Sequence, residues 1–288
     1  MTCLLRLEHI THRFGKVLAL DGLDLAVPAG EIYGFLGRNG AGKTTTLRML
    51  MGLMVPDAGR IELFGEQVTS VPVRLKQKIG FVPQEPHFYP WMTARQLGRF
   101  VGGFYPAWDD AEFERLLRRL DIPTDRKASV MSGGTRTKLS LALAFASRPP
   151  LLLLDEPTTG LDPVARREFN DQMIELQREQ GTTVMFSSHL VGEVEQVAQR
   201  VGIIQAGSTR FEGTIPSLRA QVRRIRGLEA PIEAPGWQRV RGDVYRAIEA
   251  AWDGAVLPPG AVAETLGLEE IFLAFARTDE LREEVKAS

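Results

Sequence analysis

Apolar and polar positions alternate along the start of the chain as antiparallel strands require. Leu5-Arg6-Leu7-Glu8-His9-Ile10, Val17-Leu18-Ala19-Leu20 and Leu23-Asp24-Leu25-Ala26-Val27 each read as a strand, with turns expected at Phe14-Gly15-Lys16 and Asp21-Gly22. Shorter apolar runs follow, at Ile32–Leu36, Arg60–Phe64, Lys78–Gln84, Thr182–Ser187 and Val201–Gln205. Leu151-Leu152-Leu153-Leu154 carries no polar break, the habit of a central parallel strand buried on both faces. Between these runs the period lengthens to that of a helix. Leu97, Phe100, Val101 and Phe104, then Phe113, Leu116, Leu117 and Leu120, recur at i, i+3, i+4 spacing within 93–120. Arg136–Ser147, Val164–Gln180 and Val191–Gln199 are further helices. Strands alternating with helices make an α/β domain over 1–215. Past Ile215-Pro216 the composition turns to Arg, Glu, Ala and Pro. Pro231, Pro235, Pro258 and Pro259 mark loops, and Leu268–Phe275 reads as a closing amphipathic helix. Residues 216–288 are thus expected to form a small α+β appendage.

One stretch organises the rest. Gly37-Arg38-Asn39-Gly40-Ala41-Gly42-Lys43-Thr44 fits G-x-x-x-x-G-K-[ST], between an apolar strand and a helix that opens on Thr45. Its three glycines are expected to adopt positive φ, so that backbone N–H groups turn toward one centre. The following helix points its partly positive end at the same place. Lys43 adds a full charge for the outer phosphates, and the Thr44 hydroxyl is the expected magnesium ligand. This loop binds a nucleoside triphosphate.

Composition narrows the class. The chain has 288 residues, 44% hydrophobic and 25% charged, as in an ordinary globular protein. A net charge of −1 supplies no basic surface for a polynucleotide, so no nucleic-acid partner is expected. The single Cys3 rules out an internal disulfide framework and suits a reducing compartment. The N-terminus lacks the form of a signal peptide. No apolar run approaches the ~20 residues of a membrane span; the nearest, Leu139 to Leu154, is broken by Ser147-Arg148-Pro149-Pro150. A cytoplasmic location follows, with the membrane reached only through a partner.

Further residues select among phosphate-loop proteins. Asp155 ends the leucine strand, where a carboxylate can hold magnesium, and Glu156 beside it is placed to take a proton from water. Met131-Ser132-Gly133-Gly134 precedes a helix and offers a second cluster of N–H groups with a hydroxyl. The run Ser132-Gly133-Gly134-Thr135-Arg136-Thr137-Lys138-Leu139-Ser140-Leu141-Ala142, just before Leu151–Pro163, resembles the signature motif of ABC-type ATPases. The resemblance covers roughly residues 4–215. It implies a RecA-like α/β core, an antiparallel β subdomain and a helical subdomain inserted at about 86–150. Gln84 matches the Q-loop, where the side chain reaches magnesium and the attacking water. His189 matches the switch histidine, which contacts the γ-phosphate and orients Glu156. Asp162 matches the D-loop, which crosses to a partner subunit. Phe14 matches the aromatic that stacks on adenine, with a core position as its alternative. Two residues depart from the pattern: Thr135 stands for the usual glutamine, and Gln199 for a frequent aspartate, where it is expected to concern packing.

The resemblance also implies ATP and Mg2+ as ligands and a closed dimer. ATP on one phosphate loop would be covered by Ser132-Gly133-Gly134 of a second cassette, from another copy or a paralogue. A separately encoded integral membrane permease would complete an export system, with this chain on the inner face of the cell membrane. Pro86–Met92 and Phe104–Trp108 supply aromatics that either face the permease or fill the insert's own core. A soluble ABC-type ATPase, a non-catalytic regulatory module and a P-loop kinase are the competing readings.

Overall fold

The structure, a computed structural model, describes residues 3–228, 232, 237–247, 257 and 260–276. β1 (Cys3–Phe14) and β2 (Val17–Pro28) form a long antiparallel hairpin. The turn expected at Asp21-Gly22 is a bulge instead. Ile10 faces Leu23 and His12 faces Leu20, so an extra residue is absorbed where Gly22 takes φ +63° and gives its N–H to the Thr11 hydroxyl. Two of the expected strands are therefore one. β3 (Ile32–Leu36) runs into the phosphate loop and α1 (Lys43–Leu50) leaves it. β4 (Ala58–Leu63) pairs with β1, and β5 (Glu66–Val68) with β4, completing a sheet of order β2-β1-β4-β5.

After the short α2 (Val73–Lys76) and β6 (Ile79–Val82) come the helices of the insert, α3 (Ala94–Gly102), α4 (Asp110–Arg119) and α5 (Gly133–Ala146). The helical period over 93–120 is cut by Gly102-Gly103 and Pro106, and Asp109 caps a fresh start by accepting the Glu112 N–H. Phe104 accordingly lies outside α3. β7 (Leu151–Asp155), α6 (Pro163–Gln180), β8 (Thr183–Ser188), α7 (Val191–Val197), β9 (Arg200–Gln205) and β10 (Ser208–Thr214) complete the main unit. The central sheet has the order β10-β9-β3-β8-β7-β6, parallel except at β10.

The four leucines of β7 explain why no polar residue interrupts them. Leu151 and Leu153 join the core beneath the antiparallel sheet with Tyr33, Phe35 and Met185. Leu152 and Leu154 join the opposite core with Phe145, Phe169 and Phe186, beneath the helices. All four are fully buried, each worth roughly 1.5–3 kcal/mol.

Beyond Thr214, α8 (Ile215–Gln221) leads into β11 (Val222–Arg226), β12 (Trp237–Arg241), β13 (Val244–Ala247) and β14 (Val262–Thr265), a sheet of order β12-β13-β11-β14. The closing helix α9 (Leu268–Ala276) packs on α7 and β9. Its Ile271, Phe272 and Phe275 are continuous with the core containing Val191, Val194 and Val197. The four prolines expected to mark loops here lie outside the described residues.

Gln199 falls past the end of α7, where its side-chain oxygen accepts the Ile32 N–H at 2.6 Å. It ties β3 to the loop before β9.

Candidate active site

Parallel pairing brings the ends of three strands level. Leu36 lies opposite Ser188, and Asp155 opposite Ser187. The residues that follow β3, β7 and β8 therefore converge at the carboxyl edge of the sheet, where open α/β folds bind ligands. In the phosphate loop only Gly40 (φ +80°) and Gly42 (φ +108°) use left-handed backbone. Gly37, expected to do the same, is needed for space: a Cβ there would lie 2.7 Å from Ile204 Cγ2 and 2.8 Å from its carbonyl oxygen. Arg38 and Asn39 are exposed and Ala41 is buried. Gly42 begins α1 without any side-chain cap, which leaves the first N–H groups, Thr44 and Thr45 among them, to an anion.

Lys43, only 5% exposed, gives its ammonium to the carbonyls of Gly37 (2.7 Å) and Arg38 (3.2 Å) and pairs with Glu156 Oε1 at 3.0 Å. The other oxygen of Glu156 meets His189 Nδ1 at 2.9 Å and the Thr159 hydroxyl at 3.2 Å. Burial raises the Glu156 carboxyl, but the hydrogen bond and charge of Lys43, then those of His189, outweigh it and leave the group below the ordinary glutamate range. Asp155 goes the other way. Burial pushes its carboxyl up, and hydrogen bonds from Ser187 and Thr44 offset only part of that. Two adjacent acids thus have opposite tendencies, Asp155 raised by burial and Glu156 lowered by its partners. Its backbone takes φ +44°, a region side chains seldom occupy.

The Thr44 hydroxyl stands 3.1 Å from Asp155 Oδ1. Two hard oxygen donors this close suit a magnesium ion that keeps most of its waters and borrows the rest of its shell from phosphate. Ser187 escaped the sequence reading. Its hydroxyl donates to Asp155 Oδ1 and accepts the Glu156 N–H, both at 2.9 Å, so it holds the two acids together.

The other expected residues form a second group. Ser132 caps α5, which starts at Gly133 and not at Arg136; its Oγ accepts the Thr135 N–H at 3.1 Å and lies 2.8 Å from the Thr135 hydroxyl. Gly133 and Gly134 line a cavity of about 580 Å³ with Gln84, Thr159 and Gly160. Gln84 is exposed just beyond β6 and is not bonded to Thr44 or Asp155. Asp162 caps α6 by accepting the N–H groups of Val164 and Ala165. Phe14 is half exposed at the hairpin tip, edge-on to His12, which rules out its core alternative.

The family model described as ABC transporter matches residues 20–159. The Nod factor export ATP-binding protein I of Burkholderia lata is 41% identical over 212 residues, spanning 72% of this chain and 69% of its own. The chain belongs to the ABC transporter family. Its nucleotide-binding unit is an ATPase of that family, with the P-loop fold expected from the sequence. The bacitracin transport ATP-binding protein BcrA of Bacillus licheniformis is 35% identical over 226 residues, 78% of this chain and 74% of its own. Among solved structures, an ATP-binding subunit of an ABC transporter superposes with TM-score 0.68 at 29% identity, over 75% of this chain and 92% of that one. A dimeric ATP-binding cassette bound to ADP and Pi shares the fold, at TM-score 0.65 and 23% identity over 73% of this chain and 98% of its own. No helix among the described residues is long and apolar enough to cross a membrane.

Proposed function

We propose that this ABC ATPase dimerises around ATP and powers export by a separate integral membrane permease, to which it binds on the inner face of the cell membrane. The observation that carries the reading is the Glu156 carboxylate, fixed between Lys43 and His189 beside the Thr44–Asp155 pair. The backbone of Gly37–Thr44 and the Lys43 ammonium bind the phosphates of ATP. Thr44 and Asp155, with Gln84, would hold Mg2+, which would supply charge neutralisation at the outer phosphate oxygens. A phosphate that engages Lys43 draws it away from Glu156. Glu156 then takes a proton from water as its oxygen bonds to the γ-phosphorus and the bond to the bridging oxygen breaks, leaving ADP and phosphate. His189 keeps the carboxylate in place, and Phe14 stacks on adenine.

The need for two cassettes rests on Ser132-Gly133-Gly134. Ser132 is bonded to Thr135, and no hydrogen bond or ion pair among the described residues joins this motif to Lys43, Asp155, Glu156 or His189. The uncapped start of α1 in one cassette and the start of α5 in another suit opposite sides of one γ-phosphate. Asp162, exposed at the start of α6, suits contact with that partner, a second copy or a paralogue. The permease reading has support in the insert. Tyr89, Trp91, Phe100 and Phe104 are 46%, 62%, 42% and 58% exposed and touch ring to ring, whereas Trp108 and Phe113 fill the core. A contiguous aromatic surface of this kind marks a protein contact.

Glu156→Gln tests the reading. Phosphate release should fall by about 10²–10⁴-fold, ATP should still bind, and light scattering should find an ATP-dependent dimer. A variant that stays monomeric with ATP, in a protein that captures no integral membrane partner, would overturn it.

A further inference from the structure

One buried carboxylate has no part in the chemistry above. Glu193 lies in α7, 7% exposed, and its partners come from three separate segments. Oε1 accepts the Thr158 hydroxyl at 2.5 Å, and Oε2 accepts the Ser188 hydroxyl at 2.8 Å. Arg166 Nε stands 3.0 Å from Oε1, an ion pair whose N–H is not aimed well enough for a hydrogen bond. Two of the partners sit near residues assigned to hydrolysis, and the third near the expected partner contact. Thr158 is in the turn that carries Glu156 and the Thr159 that bonds to it. Ser188 precedes His189, and its oxygen also accepts the Leu190 N–H at 2.9 Å. Arg166 is in the first turns of the helix capped by Asp162 and reaches the Leu161 carbonyl.

A buried carboxyl group with fewer partners would be strongly disfavoured. Here two hydroxyls and a guanidinium satisfy it, so the unit is favourable only while all three segments stay in register. We propose that Glu193 is a positioning residue for ATP hydrolysis: it locks the Glu156 turn, the His189 segment and the start of α6 into one unit. A displacement of Asp162 by a partner cassette is thereby passed to the Glu156–His189 pair as a rigid shift. The proposal deepens the reading above and rests on it.

The route predicts which parameter changes. Glu193 touches neither phosphate nor magnesium ligands, so ATP affinity should survive its loss. The reacting geometry should not, and small misplacements of catalytic groups cost up to about 100-fold. Glu193→Ala is expected to lower kcat by about 10- to 100-fold with KM changed by less than about threefold. Glu193→Gln keeps the side-chain length and one oxygen acceptor, and should recover much of the loss. Thr158→Val and Ser188→Ala each remove a single hydrogen bond; they report on the same unit should Glu193→Ala fail to fold.

The deciding measurement is a double-mutant cycle on kcat with His189→Ala. Because Glu193 acts through the Glu156–His189 pair, Glu193→Ala or Ser188→Ala should cost little more once His189 is gone. Costs that multiply in the double variant would make Glu193 a structural residue and overturn the proposal, as would normal kcat in a folded Glu193→Ala. Normal turnover in His189→Ala and Glu156→Gln themselves would instead refute the site reading, so the two failures are distinguishable.

Discussion

Glu156 holds its carboxylate between Lys43 and His189 on a backbone with φ +44°, a conformation costing on the order of 1–3 kcal/mol. Ser187 offsets part of that by taking the Glu156 N–H. Ser187→Ala leaves this buried donor unpaired and should destabilise the fold by about 1–3 kcal/mol in urea denaturation. It should also weaken magnesium binding, because Asp155 loses the hydroxyl that orients it. The raised Asp155 carboxyl adds a pH dependence. A folded-state pKa above the unfolded one favours the fold at low pH, and the benefit is lost as pH rises through the folded value. Magnesium needs the ionised form and competes with that proton. Mg2+ titrations of turnover between about pH 7 and pH 5 should therefore show affinity falling above the usual aspartate range. Lys43, Thr44, Asp155 and Glu156 were legible in the sequence because each has a spacing or strand-end position that chemistry requires. Ser187, Ser188 and Glu193 were not. Two serines at a strand end carry no signature until β8 is known to lie beside β7 with Ser187 opposite Asp155.

Among the elements, the insert shows what periodicity can and cannot settle. Leu97 and Phe100 fall on one apolar stripe, yet Leu97 is buried and Phe100 is 42% exposed. A stripe gives a face, not the neighbour that covers it. Gly98 lies inside α3, where alanine would ordinarily add about 1 kcal/mol. Here a Cβ would stand 2.1 Å from the Phe113 ring, which is itself buried. Gly98→Ala should therefore lower Tm despite its better helix propensity, overpacking costing about 1–3 kcal/mol. Adding Phe113→Leu should recover part of the loss in a thermal melt. The merger of two expected strands into β2 has a similar lesson. An Asp-Gly pair signals either a turn or a bulge, and only the pairing partner, Thr11, decides between them.

For the whole molecule, the joint between the two sheets hangs on Glu212. Its Oε1 accepts the Ala26 N–H at 2.6 Å and the buried Tyr33 hydroxyl at 3.0 Å, linking β10, β2 and β3. Burial raises this carboxyl, with those hydrogen bonds only partly opposing. Its contribution is thus greatest below the unfolded pKa and is lost as pH rises through the folded one. Glu212→Gln keeps the acceptor without the charge. It should raise stability near neutral pH and flatten the pH dependence measured by denaturant midpoints.

The seat of α9 has a practical outcome. Ile271 and Phe272 cover the flank of the helix that follows His189, and Phe272 and Ala276 border the outer side of Arg38–Ala41. A chain cut after residue 215 to obtain a minimal cassette would bare to water the flank of α7 and β9 that α9 covers, with Val191 on it. Such a fragment should self-associate without nucleotide, and clumping of that kind could be mistaken for the ATP-driven pairing expected of the 288-residue chain.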